Sequence, residues 1–167
     1  NLKVKGYKPG VDLSCPHEPR FKPALETIAV NLEMMRDKID ADIVHTHTWY
    51  AHLGGVFAKL LYDVPFVATC HSLEPLRPWK EEQLGRGYLM SSWIEKEGIE
   101  QADRVIAVSQ EMKNDILKFF PVEERKVVVI HNGIDPDKWR YTPISDKLKR
   151  EYDIKDDYIL FVGRPTK

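Results

Sequence analysis

Apolar positions recur along this chain with two alternating periods, and the alternation predicts the architecture. From Pro23 the residues Leu25, Ile28, Leu32, Met35 and Ile39 follow the spacing of a helix face. Pro23 suits a first helical turn, where its missing N–H costs nothing. The run 42–46 reads as a short strand and 49–62 as a helix, with 66–69 the second strand. A polar helix then ends near residue 101, and a third strand spans 104–108. Ser109 is placed to cap the next helix, with Met112, Ile116 and Phe119 inward and Pro121 stopping it. The fourth strand covers 126–130, while residues 1–22 carry Pro9, Pro16 and Pro19 and read as a loop. Strands alternating with helices make βαβ units. The predicted fold class is therefore α/β, with a Rossmann-like parallel sheet and right-handed crossovers.

After Ile130 the pattern changes. His131-Asn132-Gly133-Ile134-Asp135-Pro136 predicts a turn, with Gly133 able to supply a positive φ. A short helix is expected over 146–152. The run Tyr158-Ile159-Leu160-Phe161-Val162-Gly163-Arg164 then reads as a fifth apolar strand. The chain thus divides into 1–134, a linker with a short helix over 135–157, and 158–167. A buried-type strand with no helix after it looks like the opening of another domain. No repeat or low-complexity tract is present.

Composition narrows the partners. The 167 residues suffice for one ordinary core, and 43% hydrophobic with 31% charged is a folded, soluble balance. A formal net charge of −1 gives the whole chain no attraction for nucleic acid or a membrane surface, so anion recognition must be local. Cys15 and Cys70 are too few for a disulfide framework and lack metal spacing, which points to a reducing, cytoplasmic setting. No apolar run reaches the roughly 20 residues of a membrane helix. No signal-peptide pattern opens the chain at Asn1.

The candidate chemistry lies at the carboxyl ends of the strands, where open α/β sheets bind ligands. Strand one ends in His45-Thr46-His47-Thr48-Trp49, strand two in His71-Ser72, strand three in Ser109 and strand four in His131-Asn132. The turn Thr69-Cys70-His71-Ser72-Leu73-Glu74-Pro75-Leu76-Arg77-Pro78-Trp79-Lys80 concentrates an imidazole, a hydroxyl, a carboxylate and two cations. His71 follows a continuous strand and reads either as a capped core histidine or as a donor to sugar hydroxyls. Arg77 and Lys80, beside Trp79, read as anion or sugar contacts or as solvated charges. His45 and His47 read either as imidazoles bonded to backbone or as site groups. His-x-His also suits a metal, yet no carboxylate at the other strand ends completes a hydrolytic set. Gly54 and Gly55 are expected to permit close helix–sheet packing, and Glu95-Lys96-Glu97 reads as an exposed helix face. Trp49 and Tyr50 suit either core or site. Arg164 is suited to clamping phosphate.

Five segments in order carry a family resemblance: Val44-His45-Thr46-His47-Thr48-Trp49-Tyr50, the 69–80 turn continuing into Glu82-Gln83-Leu84-Gly85-Arg86-Gly87-Tyr88, Ala107-Val108-Ser109, His131-Asn132-Gly133-Ile134-Asp135, and Phe161-Val162-Gly163-Arg164. Together they resemble the glycogen synthase branch of glycosyltransferase family 4. The likeness is greatest to the actinobacterial-type group that includes maltose-1-phosphate synthases, and it covers about residues 20–167. It implies a GT-B fold, with 1–134 the second half of the N-terminal, acceptor-side domain and 158–167 the first strand of the nucleotide-sugar-binding domain. It also implies retaining, metal-independent glucosyl transfer without a cofactor, from a nucleotide sugar such as ADP-glucose or UDP-glucose. The acceptor would be an α-glucan end or glucose 1-phosphate. His71 matches the histidine that contacts the donor glucose near the reacting carbon. His47, Thr48, Ser72, Arg77, Lys80 and Arg164 make up the implied substrate-binding set. Within it Ser72 and Thr48 match acceptor-facing positions, Thr48 standing where more distant bacterial glycogen synthases have aspartate. Arg164 matches the arginine on the donor diphosphate.

The resemblance puts the family's glycine-rich loop upstream of Asn1, and its diphosphate lysine and Glu-x7-Glu carboxylates beyond Lys167. The isolated chain is accordingly expected to be inactive, and its orphan 158–162 strand to be exposed or borrowed by a neighbouring molecule. Three other readings compete. One is a family 4 transferase with a phosphorylated acceptor, such as sucrose-phosphate or glycosyl-inositol-phosphate synthesis. The others are a non-catalytic carbohydrate-binding fragment and a metallohydrolase using His45, His47 and His71.

Overall fold

A computed structural model describes residues 3–163 of the protein. The chain divides at Asn132 and Gly133 into two compact units. In the first, α1 (Lys22–Met34) precedes β1 (Val44–His47), α2 (Trp49–Tyr62), β2 (Phe66–Cys70), α3 (Lys80–Leu84) and α4 (Gly87–Gln101). β3 (Arg104–Ala107), α5 (Gln110–Phe119) and β4 (Val127–Val129) complete it. The four strands are parallel and lie in the order β1-β2-β3-β4. This is the expected α/β class: a Rossmann-like parallel sheet, the architecture of part of a GT-B N-terminal domain.

Side-chain alternation separates the two faces of the sheet. Phe66, Ala68, Val105, Ala107 and Val127 point to one side and pack with Ile99, Ile116 and Phe120 from the helices. That face is the core. The opposite face carries His45, His47, Val67, Ile106 and Val128, none of them fully buried. One-sided burial follows from a strand order that always steps the same way, because right-handed crossovers then deliver every connecting helix to one side.

Local signals explain most boundaries. Ser109 caps α5 by accepting a hydrogen bond from the Met112 N–H at 3.1 Å. In α5 Ile116 is buried as expected, but the chain's next apolar anchor is Phe120, and Phe119 is 38% exposed. The helix ends at Phe119, and Phe120, in extended conformation, turns its ring inward.

α1 also departs from the sequence pattern: it ends at Met34, and its buried face is Ala24, Thr27 and Asn31, while Leu32 is exposed. The reason is a polar lock on α2. The Asn31 amide donates to the carbonyls of Thr27 and Tyr50, each at 2.7 Å, and its oxygen accepts from the Gly54 N–H at 2.6 Å. A small residue at 54 is what admits it. A Cβ on Gly55 would overlap the Phe66 ring, so the expectation of close helix–sheet packing holds at Gly55, whereas Gly54 lies against Asn31 of α1.

The second unit contains α6 (Asp146–Glu151), capped by Ser145, which accepts from the Leu148 N–H at 3.2 Å. Residues 158–163, read from sequence as a strand, pair with no strand among the described residues, and Ile159 through Val162 are exposed. An apolar extended run has no ladder to join without a neighbour, so propensity alone does not make it a strand. Arg164 lies outside the described residues.

Candidate functional site

The parallel register aligns the strand ends. His47 stands opposite Thr69, Cys70 opposite Ala107, and Ala107 opposite Val129, so the residues that follow each strand share one rim. His47 and His71 meet there: His47 Nδ1 lies 2.9 Å from His71 Nε2, and both residues are exposed. One proton held between two ring nitrogens makes this contact. Both rings cannot be protonated at these atoms and keep it. His45 stacks against His47 with centroids 4.5 Å apart, and its Nε2 is 2.7 Å from Thr69 Oγ1. Burial, then the neighbouring His47, lowers the His45 pKa from its ordinary value. His131 is held separately, by a 3.1 Å contact between Nδ1 and the Val108 carbonyl. Among the described residues no group of three His, Cys, Asp or Glu side chains is arranged to hold a metal ion.

Thr48 follows His47 in a backbone conformation that L-residues rarely adopt, φ 63° and ψ 165°. The turn puts Trp49 at the start of α2, where it is buried, while Tyr50 remains 53% exposed. The indole N–H of Trp49 has no hydrogen-bond partner among the described residues. Beneath β1, Thr46 Oγ1 meets His52 Nδ1 at 2.8 Å, and burial holds the His52 imidazole down at about 4.

The turn after β2 continues the rim. The Arg77 guanidinium donates to Ser72 Oγ at 3.1 Å and lies 3.9 Å from Glu74 Oε1. Lys80 is not on the surface with it. Its Nζ is drawn inward to Glu74 Oε1 at 2.7 Å, with the side chain 8% exposed. The sequence-level choice between solvated charge and direct anion contact is therefore replaced for Lys80 by a buried ion pair. An ammonium beside an ionised carboxylate avoids the cost of being desolvated alone.

A second correction concerns Glu95, expected on an exposed face. Lys96 is exposed, but Glu95 is 2% exposed and accepts from the Glu74 N–H at 2.7 Å. Burial, helped by the charge of Glu74, raises its pKa to about 8. Sequence reasoning missed Glu74 and Glu95 as a pair. The available signal was the spacing Tyr88, Ser91, Glu95, a polar stripe along one face of α4. The described residues thus bring His45, His47 and His71 together, and Ser72 with Arg77. Thr48 follows His47 directly in the chain.

The fold and this rim define a Rossmann-like α/β domain, with polar groups displayed at the carboxyl ends of parallel strands. Residues 4–138 match the model of Glycosyltransferase Family 4, and the chain belongs to that family. It is 46% identical over 149 residues to the alpha-maltose-1-phosphate synthase of Mycolicibacterium smegmatis, covering 86% of this chain and 38% of that protein. It is 32% identical over 126 residues to the glycogen synthase of Mycobacterium tuberculosis, covering 74% of this chain and 28% of that protein. The D-inositol 3-phosphate glycosyltransferase of Corynebacterium aurimucosum is 25% identical over 137 residues, 78% of this chain and 32% of its own length. The chain spans well under half the length of these curated relatives. Among the described residues no helix is long and apolar enough to cross a membrane.

Proposed function

We propose that this chain forms the acceptor-side wall of a retaining, metal-independent glucosyltransferase acting in the cytoplasm. The donor is a nucleotide sugar, ADP-glucose or UDP-glucose, and the acceptor is an α-glucan end or glucose 1-phosphate. In the transfer, the bond from the sugar's C1 to the diphosphate oxygen breaks and one from C1 to an acceptor hydroxyl oxygen forms. The acceptor's proton leaves with the diphosphate. His71 donates to the donor glucose beside the reacting carbon, with His47 against it. Thr48 and Ser72 face the acceptor, and Arg77 supplies a cation next to Ser72. Arg164 is assigned to the donor diphosphate from sequence alone. The observation that carries this reading is the contact between His47 and His71 on an exposed rim of a family 4 domain.

The 46% identical relative is named for a phosphate-bearing product, maltose 1-phosphate. This favours glucose 1-phosphate over a polymer end, and a guanidinium at the rim suits such an anion. The isolated chain is proposed to lack turnover and to self-associate through residues 158–162, so light scattering showing a strict monomer would remove the second point. The test of the whole reading joins this chain to the remainder of a family 4 enzyme and supplies ADP-, UDP- and GDP-glucose with maltooligosaccharides or glucose 1-phosphate. Glucosyl transfer is expected, falling by about 100-fold or more in His71→Ala, the usual cost of losing one aligned donor. Absence of transfer with every pair, or an unaffected His71→Ala, would overturn it.

A further inference from the structure

The turn that carries Ser72 and Arg77 is held from behind by a single residue. Every polar group of Glu74 is engaged. Its N–H donates to Glu95 Oε2 at 2.7 Å, Oε1 accepts from Lys80 Nζ at 2.7 Å, and Oε2 accepts from Ser91 Oγ at 2.8 Å. Its carbonyl accepts from the Tyr88 hydroxyl at 2.6 Å and from the Arg77 N–H at 2.8 Å. Three of these partners, Tyr88, Ser91 and Glu95, stand one above another on α4, at i, i+3 and i+7. Glu74 and Glu95 are 1% and 2% exposed, so the assembly is dry and its members are costly to leave unpaired.

Charge makes the arrangement directional. Lys80 neutralises Glu74, and a second buried carboxylate beside them is stable only while it keeps its proton. The groups facing Glu95 are Glu74 and Arg77 from the turn, Lys80 from α3, the Cys70 thiol from β2, and Tyr88 on α4 itself. From α2, His52 packs against Gly98 further along the same helix, and the Trp49 ring lies 5.8 Å from Lys80 Nζ. Of the cations, Lys80 is enclosed, whereas the Arg77 side chain is 35% exposed and already 3.9 Å from Glu74 Oε1. Arg77 is the one free to answer a new negative charge.

We propose that Glu95 is a positioning residue for the rim: as a neutral acceptor for the Glu74 N–H it fixes the turn so that Arg77 stays on Ser72. Ionising Glu95 draws Arg77 inward, off Ser72, and opens the rim. The functional meaning rests on the rim being the substrate wall proposed above, but the positioning itself can be read without any turnover.

The experiment follows the Glu74 amide and the Arg77 guanidinium Nη1–H by nitrogen-15 NMR in the 167-residue chain, from about pH 6 to about pH 9.5. In the unaltered chain both signals are expected to move together, with a midpoint near 8. In Glu95→Gln the amide oxygen accepts the same bond, so both signals should stay at their low-pH positions throughout. In Glu95→Ala the Arg77 Nη1–H that bonds Ser72 Oγ should exchange with water about tenfold faster or more, as expected for a lost bond to a charged group. A folded Glu95→Ala with unchanged Glu74 and Arg77 signals overturns the inference. So does a transition near 8 that persists in Glu95→Gln, which decides the matter alone if Glu95→Ala does not fold. Failure of glucosyl transfer in the joined enzyme would remove the substrate reading and leave this result standing.

Discussion

At the scale of single residues, Thr48 is the point of greatest backbone cost. A non-glycine residue at φ 63° and ψ 165° stores about 1–3 kcal/mol, against roughly 0.5–1 kcal/mol of chain entropy that glycine would add to the unfolded state. Thr48→Gly is therefore expected to stabilise the fold by about 1 kcal/mol, raising the thermal midpoint by about 2–4 °C. A lower midpoint in calorimetry would contradict this. If its hydroxyl faces the acceptor as proposed, the same substitution weakens acceptor binding, and stability and function separate at one position. The imidazoles were legible in the sequence because strand ends in a parallel sheet share an edge. The strain was not, since nothing in His-Thr-Trp announces a left-handed φ. Glu95 misled for a definite reason: a glutamate between a buried isoleucine and a lysine fits a solvated helix face, and only the turn packed against it reveals a buried carboxylate.

At the scale of elements, two glycines set how closely the layers approach. A Cβ on Gly98 would stand 2.6 Å from the His52 ring, and one on Gly55 would penetrate the Phe66 ring, so α2 is pressed against α4 on one side and β2 on the other. Gly98→Ala and Gly55→Ala should each cost about 1–3 kcal/mol by overpacking. Gly6→Ala, with nothing within 4 Å of its added carbon, serves as the neutral control. Urea midpoints of the three variants test the ranking. Element positions were largely readable: α2 occupies 49–62 as expected, and each strand lies within two residues of its apolar run. The readable elements are those with one clear period and a defined stop. α1 was overextended because Met35 and Ile39 continue the spacing beyond the residues that pack, and its true contact face is small and polar. The 158–162 run shows the complementary limit, since pairing depends on a partner and not on propensity.

At the scale of the molecule, two buried groups give opposite dependences on pH. His52 takes up its proton near 6.5 when unfolded and near 4 when folded, so its contribution is lost as pH falls through that interval. Glu95 ionises near 4.5 unfolded and near 8 folded, so stability declines as pH rises between those values. From these two groups the slopes cancel between about 4.5 and about 6.5, and only Glu95 acts from there to about 8, where it removes about 2 kcal/mol. Denaturant midpoints should be highest on the mildly acidic side and fall toward pH 8, and Glu95→Gln should abolish the alkaline fall. A midpoint still rising from about pH 6.5 to about pH 8 would contradict the Glu95 assignment. The bare side of the sheet has a further effect on the imidazoles. His45 and His47 project from the side that the connecting helices leave bare, so any layer laid over Val67, Ile106 and Val128 also dries their surroundings. Drying strengthens each dipole aimed at a ligand and makes an extra proton there more costly. Cladding that flank and tightening the grip on a ligand are then one equilibrium observed from two ends, each favouring the other to the same degree.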